Sequence, residues 1–277
     1  MVPKHQRFQP RQEMQGSTFE IFNYREPRQS AVPVHHHDFY EVYFYLSGNV
    51  QFMVEDKTYS LQSGDILLVS PDRLHRAIVE PDVFDERIVL WIDKNFLAGL
   101  HEPGEDLRRC FKAGQEHLRP TPVERADLQA MAMELVTEYY GKSYCSSLAS
   151  LGLFIRLMVG INRIAVSEEA DTAGDAADQT LVSRVLAYIG EHYAENLSLD
   201  SLAARFYVSK YHLSHEFTTV VGTSIHKYLI LKRLVAARQL IAGGMRPGDA
   251  CQECGYRDYA NFYRAFTALY GVNPGGF

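Results

Sequence analysis

Ser209-Lys-Tyr-His-Leu213-Ser-His-Glu-Phe217, followed by Gly222, is answered forty-nine residues later by Asp258-Tyr-Ala-Asn-Phe262-Tyr-Arg-Ala-Phe266, followed by Gly271. Cap, two apolar residues and glycine all recur at that one offset. Ser and Asp side-chain oxygens accept the first free N–H groups of a helix. Apolar residues four and eight places on share one helical face, and a glycine closes the helix in a left-handed conformation. Each copy follows a short helix-like run, Asp200 to Phe206 and Pro247 to Cys254, and a turn of about three residues. This is the grammar of a helix-turn-helix, whose second helix enters the DNA major groove. Two in tandem predict a DNA-binding domain.

Between the copies, Ser224 to about Ala242 reads as a long helix with Ile225, Tyr228, Leu231, Leu234 and Val235 inward. At 1.5 Å per residue it is a stiff spacer of about 27 Å, suited to two recognition helices in successive grooves roughly 34 Å apart. Leu181, Val185, Leu186 and Ile189 form a preceding helix under the first copy. With Leu213, Phe217, Phe262 and Phe266 inward, helical spacing leaves Lys210, Tyr211, Ser214 and His215 on the outer face of the first recognition helix. Tyr259, Asn261, Tyr263 and Arg264 occupy that of the second. Arg264 suits a bidentate contact to guanine and Asn261 one to adenine, while Lys210, Lys227 and Lys232 suit phosphate. Cys251-x2-Cys254 has no partner pair and no βαβ context, so both cysteines are expected in the core.

The net charge of −6 hides an asymmetry: from Thr180 onward ten Lys/Arg face seven Asp/Glu, while the remainder holds eighteen against twenty-seven. A mildly basic C-terminal end suits a nucleic-acid contact confined there, although the motif carries that inference. At 277 residues, with 46% hydrophobic and 22% charged residues, the chain has room for two domains with real cores. Four cysteines do not make a disulfide framework in a chain this long. We expect no apolar signal core at the start, no membrane-length apolar run, and a cytoplasmic protein.

Residues 1–17 are polar and aperiodic and are expected to be a flexible arm. From Phe19 to about Ile92 the pattern is β, with strands at Phe39 to Leu46, Val50 to Val54, Lys57 to Leu61, Ile66 to Val69 and Arg87 to Ile92. Short antiparallel strands at this spacing predict a small barrel or jelly roll. Thr121-Pro-Val-Glu124 is a capping box that starts a helix running to about Tyr140, with Leu128, Met131, Leu135 and Tyr139 on one side. A second helix from about Ser143 to Ala165, with Leu148, Leu151, Ile155 and Met158 in its stripe, pairs with it antiparallel. The segment 167–179 contains no large apolar residue before Thr180 and reads as a linker. The expected division is a sensor and dimerisation domain over 18–166 and a DNA-binding domain over 180–277. The fold class is α+β multidomain: a cupin-like barrel with flanking helices, then an all-α domain.

Leu202-Ala203, Ser209, Leu213, Phe217, Gly222, Gly255-Tyr256, Asp258, Phe262, Phe266, Gly271 and Pro274 resemble the signature of AraC/XylS-type transcription regulators over roughly the last hundred residues. That resemblance implies a cytoplasmic, homodimeric regulator with a small-molecule effector, sugars being a frequent class. It implies paired sites on double-stranded DNA, recruitment or blocking of RNA polymerase, no enzymatic activity, no membrane contact and no required cofactor. Helices beside the barrel would form the dimer interface. Thr218 and Thr267 stand where the family usually has Lys or Arg, and His215 at a frequent Arg position. Fewer cations predict weaker binding with a shallower salt dependence. The family usually extends a few residues beyond the position of Phe277.

Further upstream, His35-x-His37-x3-Glu41-x6-Gly48 resembles the first cupin motif, and Gly64 to His75 the second, with one extra residue before its proline and Val79 where Asn is usual. In metal-dependent cupins the matching positions, here His35, His37, Glu41 and His75, hold a divalent metal. Residues i and i+2 on a strand point to one face, so His35 and His37 can converge. Three imidazoles and a carboxylate suit Zn, Mn, Fe or Ni. In AraC-type sensor domains the same residues instead contact an effector or line the pocket mouth. His35, His37, Glu41, Tyr43 and His75 are therefore the candidate effector residues, and the alternative function is a metal-dependent cupin enzyme or direct metal sensor fused to a DNA-binding domain.

Overall fold

The computed structural model describes residues 13–27, 32–79, 83–171 and 180–277. Its contacts divide the chain into two compact units, residues 1–54 with 58–177, and residues 55–57 with 178–277. Most of the expected arm (1–12) and of the expected linker (172–179) lies outside the described residues.

The first unit is built on β1 (Phe19–Pro27), β2 (Tyr40–Ser47), β3 (Val50–Val54), β4 (Lys57–Ser60), β5 (Ile66–Val69), β6 (His75–Val79) and β7 (Phe84–Ile92). Then come α1 (Lys94–Gly99), the short pair β8 (His101–Glu102) and β9 (Glu105–Asp106), β10 (His117–Leu118), α2 (Pro122–Tyr139) and α3 (Ser146–Asp171). A five-stranded sheet in the order β1-β7-β2-β5-β10 accompanies a three-stranded sheet in the order β4-β3-β6. β2 lies between β7 and β5 and is buried on both faces, which is why its sequence is a nearly continuous apolar run. Alternation sends Val42 and Phe44 into a core shared with α2 and α3. Tyr43 and Tyr45 go the other way, into a second core with Phe52, Val54 and Ala77 of the smaller sheet. The expected β-rich first half and all-helical second half are both present.

The Thr121 capping box forms as expected: Glu124 N–H donates to the Thr121 hydroxyl and the Glu124 carboxylate accepts from Thr121 N–H. α3 departs from expectation. Its buried face is Phe154, Leu157, Met158, Ile161, Ile164 and Ala165, whereas Leu148 is 68% exposed. Apolar residues ring this helix, so periodicity admits a stripe about a quarter-turn away from the face that packs. Residues 167–171, assigned above to the linker, belong to α3. By length and composition alone Ser146–Ser167 would suffice to cross a bilayer, although Arg156 and Arg163 interrupt it. Here that helix seats its face in the core against α2.

The second unit comprises α4 (Leu181–His192), α5 (Leu199–Arg205), α6 (Lys210–Val221), α7 (Ile225–Ala242), α8 (Pro247–Glu253) and α9 (Tyr259–Tyr270). α6 and α9 have the expected duplicate architecture. Ser209 caps α6 through His212 N–H and Asp258 caps α9 through Ala260 N–H. Gly222 and Gly271 close them at φ 74° and 71°. Leu213, Phe217, Phe262 and Phe266 are fully buried. Cys251 and Cys254 pack with Phe262 and Phe266, and burial pushes the Cys254 thiol up to about 11, as expected of structural rather than reactive thiols.

Candidate nucleic-acid interface and histidine niche

Because α6 and α9 turn their aromatic and aliphatic residues inward, the opposite faces are left to solvent. On α6, Lys210, Tyr211 and His215 are exposed and Ser214 is half-buried. The Lys210 ammonium pairs with the Asp200 carboxylate, and the Tyr211 and His215 rings lie parallel with centroids 6.2 Å apart. On α9, Tyr259, Asn261, Tyr263 and Arg264 are all exposed. The Arg264 guanidinium donates to Asn261 Oδ1 at 2.6 Å. The two residues assigned to base edges are thus hydrogen-bonded to each other on one exposed face. All eight positions lie on α6 and α9, seven exposed and one half-buried.

Two exposed residues in the turns that precede these helices were not singled out by spacing. Tyr207, in the turn before α6, is 95% exposed and held at φ 57°, a left-handed conformation uncommon for a bulky residue. Arg257, in the turn before α9, is exposed beside the Asp258 cap. Neither lies on a helix, so helical spacing had no means of selecting them. Lys227 is exposed and Lys232 half-buried on α7. Arg233 is occupied structurally, donating to the carbonyls of Tyr193 and Glu195, each at 2.7 Å.

The second constellation lies where the segment before β2 meets β6. His35 and His75 form an isolated antiparallel bridge, with N–H···O distances of 3.1 and 2.9 Å. This bridge, rather than a continuous strand, brings the histidines together: the His35 and His75 ring centroids are 4.3 Å apart, and His37 and His75 4.7 Å. Nδ1 of His35, His37 and His75 lies 2.9, 2.8 and 2.9 Å from the carbonyls of Pro33, Phe39 and Arg73. A carbonyl only accepts, so each Nδ1 carries a proton. His37 Nε2 is 3.4 Å from Glu41 Oε2, and that carboxylate accepts a hydrogen bond from Trp91 Nε1 at 2.8 Å.

Burial drives His75 well below the ordinary imidazole value and lowers His35. Burial would raise the Glu41 carboxyl, but the adjacent His37, His35 and Trp91 outweigh it and hold it below the usual value. One ligand atom each from His37, Glu41 and His75 lies within 4.8 Å of the others, and His35 flanks this set. Tyr43, the remaining candidate for effector contact, is buried and packs on Phe52, whose ring is in turn parallel to His75.

Two family models match this chain: an AraC-like ligand binding domain over residues 18–154 and a helix-turn-helix domain over residues 202–277. The HTH-type transcriptional activator RhaS of Escherichia fergusonii is 27% identical over 265 residues, covering 90% of this chain and 89% of that protein. The HTH-type transcriptional regulator YbfI of Bacillus subtilis is 26% identical, covering 83% of this chain and 80% of its own. Among solved structures, the DNA-binding domain of the transcription factor AdpA, in complex with a target DNA, matches at 25% identity with a TM-score of 0.33. It covers 34% of this chain and 86% of that one.

Proposed function

The chain belongs to the AraC-type transcription regulators, and from that premise we propose that it reads an operator through α6 and α9 under control of a small molecule bound in its N-terminal barrel. It is an effector-responsive DNA-binding regulator. The observation that carries the proposed operator contact is the duplicated recognition helix: two caps, two buried aromatic cores and two left-handed glycines that leave equivalent polar faces outward. Arg264 and Asn261 supply base-edge readout on α9, while Tyr211 and His215 with Ser214 supply it on α6. Lys210 and Lys227 position the protein on phosphates, whereas the Lys232 ammonium, given that role from sequence, is paired with the Glu55 carboxylate.

The rest of the cycle follows from the two-part organisation. The effector acts because it binds one arrangement of the protein better than the other; without that difference it would shift nothing. His35, His37, Glu41 and Tyr43 with His75 are the residues assigned to the effector, and a sugar's hydroxyls match their hydrogen-bonding capacity. Self-association through α2 and α3 is supported by the exposed apolar residues Val123, Tyr144 and Leu148. A homodimer would span paired half-sites and meet RNA polymerase at a promoter, in the cytoplasm and without catalysing a reaction. The similar RhaS proteins are named activators, which favours recruitment over blocking.

The test uses the full chain to select duplexes from a randomised pool, followed by fluorescence anisotropy on the enriched sequence. Specific binding that Arg264→Ala weakens mainly at one base-pair position is expected. Equal affinity for enriched and scrambled duplexes would sink the reading.

A further inference from the structure

The C-terminal unit holds a polar cleft between the segment that follows α4 and the turn that precedes α9. It has a volume of about 410 Å³ and is lined by Asn196, Arg233, Gln252, Tyr256 and Arg257, with Asp258 and Asn261 at the start of α9. Gly255, where a Cβ would be driven into the Ala194 carbonyl, lets the two segments come together.

Three donors in this cleft are unspent. The Tyr256 hydroxyl is buried and has no hydrogen-bond partner. Arg233 commits Nε and Nη2 to the carbonyls of Tyr193 and Glu195, yet its half-buried guanidinium meets no carboxylate among the described residues. Burial pulls its pKa below the ordinary value, as expected of a cation kept from water without a counter-charge. Arg257 is exposed and makes no ion pair among the described residues. The one carboxylate in the lining, Asp258, already accepts from Ala260 N–H as the cap of α9. An enclosed hydroxyl without a partner and a desolvated cation without a counter-ion each cost free energy, which an oxyanion bonded to both would offset.

We infer that the cleft binds a phosphate group through the Arg233 and Arg257 guanidiniums and the Tyr256 hydroxyl. Guanidinium forks match phosphate oxygens, and a phosphate has enough acceptors to meet three donor groups at once, which a carboxylate does not. Two sources share this chemistry. One is the backbone of a duplex docked on α9, and for that source the inference rests on the operator reading; the other is a free phosphate ion or monoester. Asn261, on the rim of the cleft, is hydrogen-bonded to Arg264, so a phosphate held here would sit beside the pair assigned to base edges.

The experiment uses the full-length protein in two arms. Its melting temperature is measured against inorganic phosphate and against chloride at equal ionic strength, and its duplex affinity by anisotropy across salt. Tyr256→Phe and Arg257→Gln are compared with the wild type. Tyr256→Phe should melt no lower than the wild type, because it removes a hydroxyl that nothing satisfies. If the backbone is the source, Tyr256→Phe weakens enriched and scrambled duplexes alike by about tenfold, and Arg257→Gln lowers the salt slope by about 0.9. If free phosphate is the source, phosphate raises the wild-type melting temperature more than chloride does, both variants lose that rise, and duplex affinity is unchanged. Variants that match the wild type in both arms overturn the proposal. So does an effect of Arg257→Gln without one of Tyr256→Phe, since the exposed cation would then act without the cleft. Equal wild-type affinity for enriched and scrambled duplexes would reject the operator reading, while the phosphate arm would still decide the cleft.

Discussion

Asp65 is a buried carboxylate whose partners come from distant sequence. His117 Nε2 lies 2.8 Å away, Gln62 N–H donates at 2.8 Å, and Arg119 stands at 3.5 Å. Burial alone would raise its pKa, but these partners outweigh it and leave it below the ordinary 3.8. A depressed folded-state value means stability that is present above pH 3.8 and is lost as pH falls through the folded value. Asp65→Asn should cost about 1–3 kcal/mol at neutral pH, with the deficit shrinking below pH 3.8, read from denaturant melts across pH. A deficit that stays constant with pH would reject this account. Gly255 presents a different constraint. Its φ is 79°, and a Cβ there would stand 2.2 Å from the Ala194 carbonyl oxygen. Gly255→Ala therefore combines left-handed strain with a backbone clash and should cost at least about 1–3 kcal/mol, measured the same way.

At the scale of elements, the two recognition helices are equivalent in frame but not in charge. On α9 the Arg264 guanidinium is hydrogen-bonded to Asn261, whereas on α6 the Lys210 ammonium is paired with Asp200. Arg264→Ala should cost about 1–3 kcal/mol of operator affinity and relax specificity at one position, whereas Lys210→Ala should weaken all duplexes alike. Anisotropy on enriched and singly altered duplexes separates these outcomes. Thr218 is exposed on α6 while Thr267 on α9 is half-buried with its hydroxyl enclosed. Thr218→Lys should therefore steepen the salt slope by about 0.9 if it gains one phosphate, and Thr267→Lys should do so less. Equal slopes for all three proteins would show that neither position faces the backbone.

For the whole molecule, the association proposed through α2 and α3 rests on apolar side chains that the fold leaves in water, Leu148 at 68% and Tyr144 at 98% exposure. Leu148→Asp should shift sedimentation from dimer to monomer without lowering the melting temperature, since the side chain supports no core. An unchanged sedimentation coefficient would place the interface elsewhere. The same residue shows why the sequence misled. Leu148 and Phe154 are both apolar and both on α3, and only packing against α2 and the larger sheet decides which is buried.

The C-terminal unit was legible from sequence because its information is local. Ser209, Asp258, Gly222 and Gly271 act on the helix that contains them, and Leu213, Phe217, Phe262 and Phe266 declare a face by spacing alone. Exposure of the opposite face follows from the same geometry. The barrel's residues were legible as types but not as a site. His35 and His37 converge with His75 through a two-residue bridge across forty residues of chain, and the proton position on each ring depends on carbonyls that no spacing rule names. Sequence by itself therefore determined the helices α6 and α9, their caps and which of their faces stays exposed. Only the tertiary structure decided which histidine nitrogens stand free beside Glu41, because that depends on long-range backbone pairing and on burial.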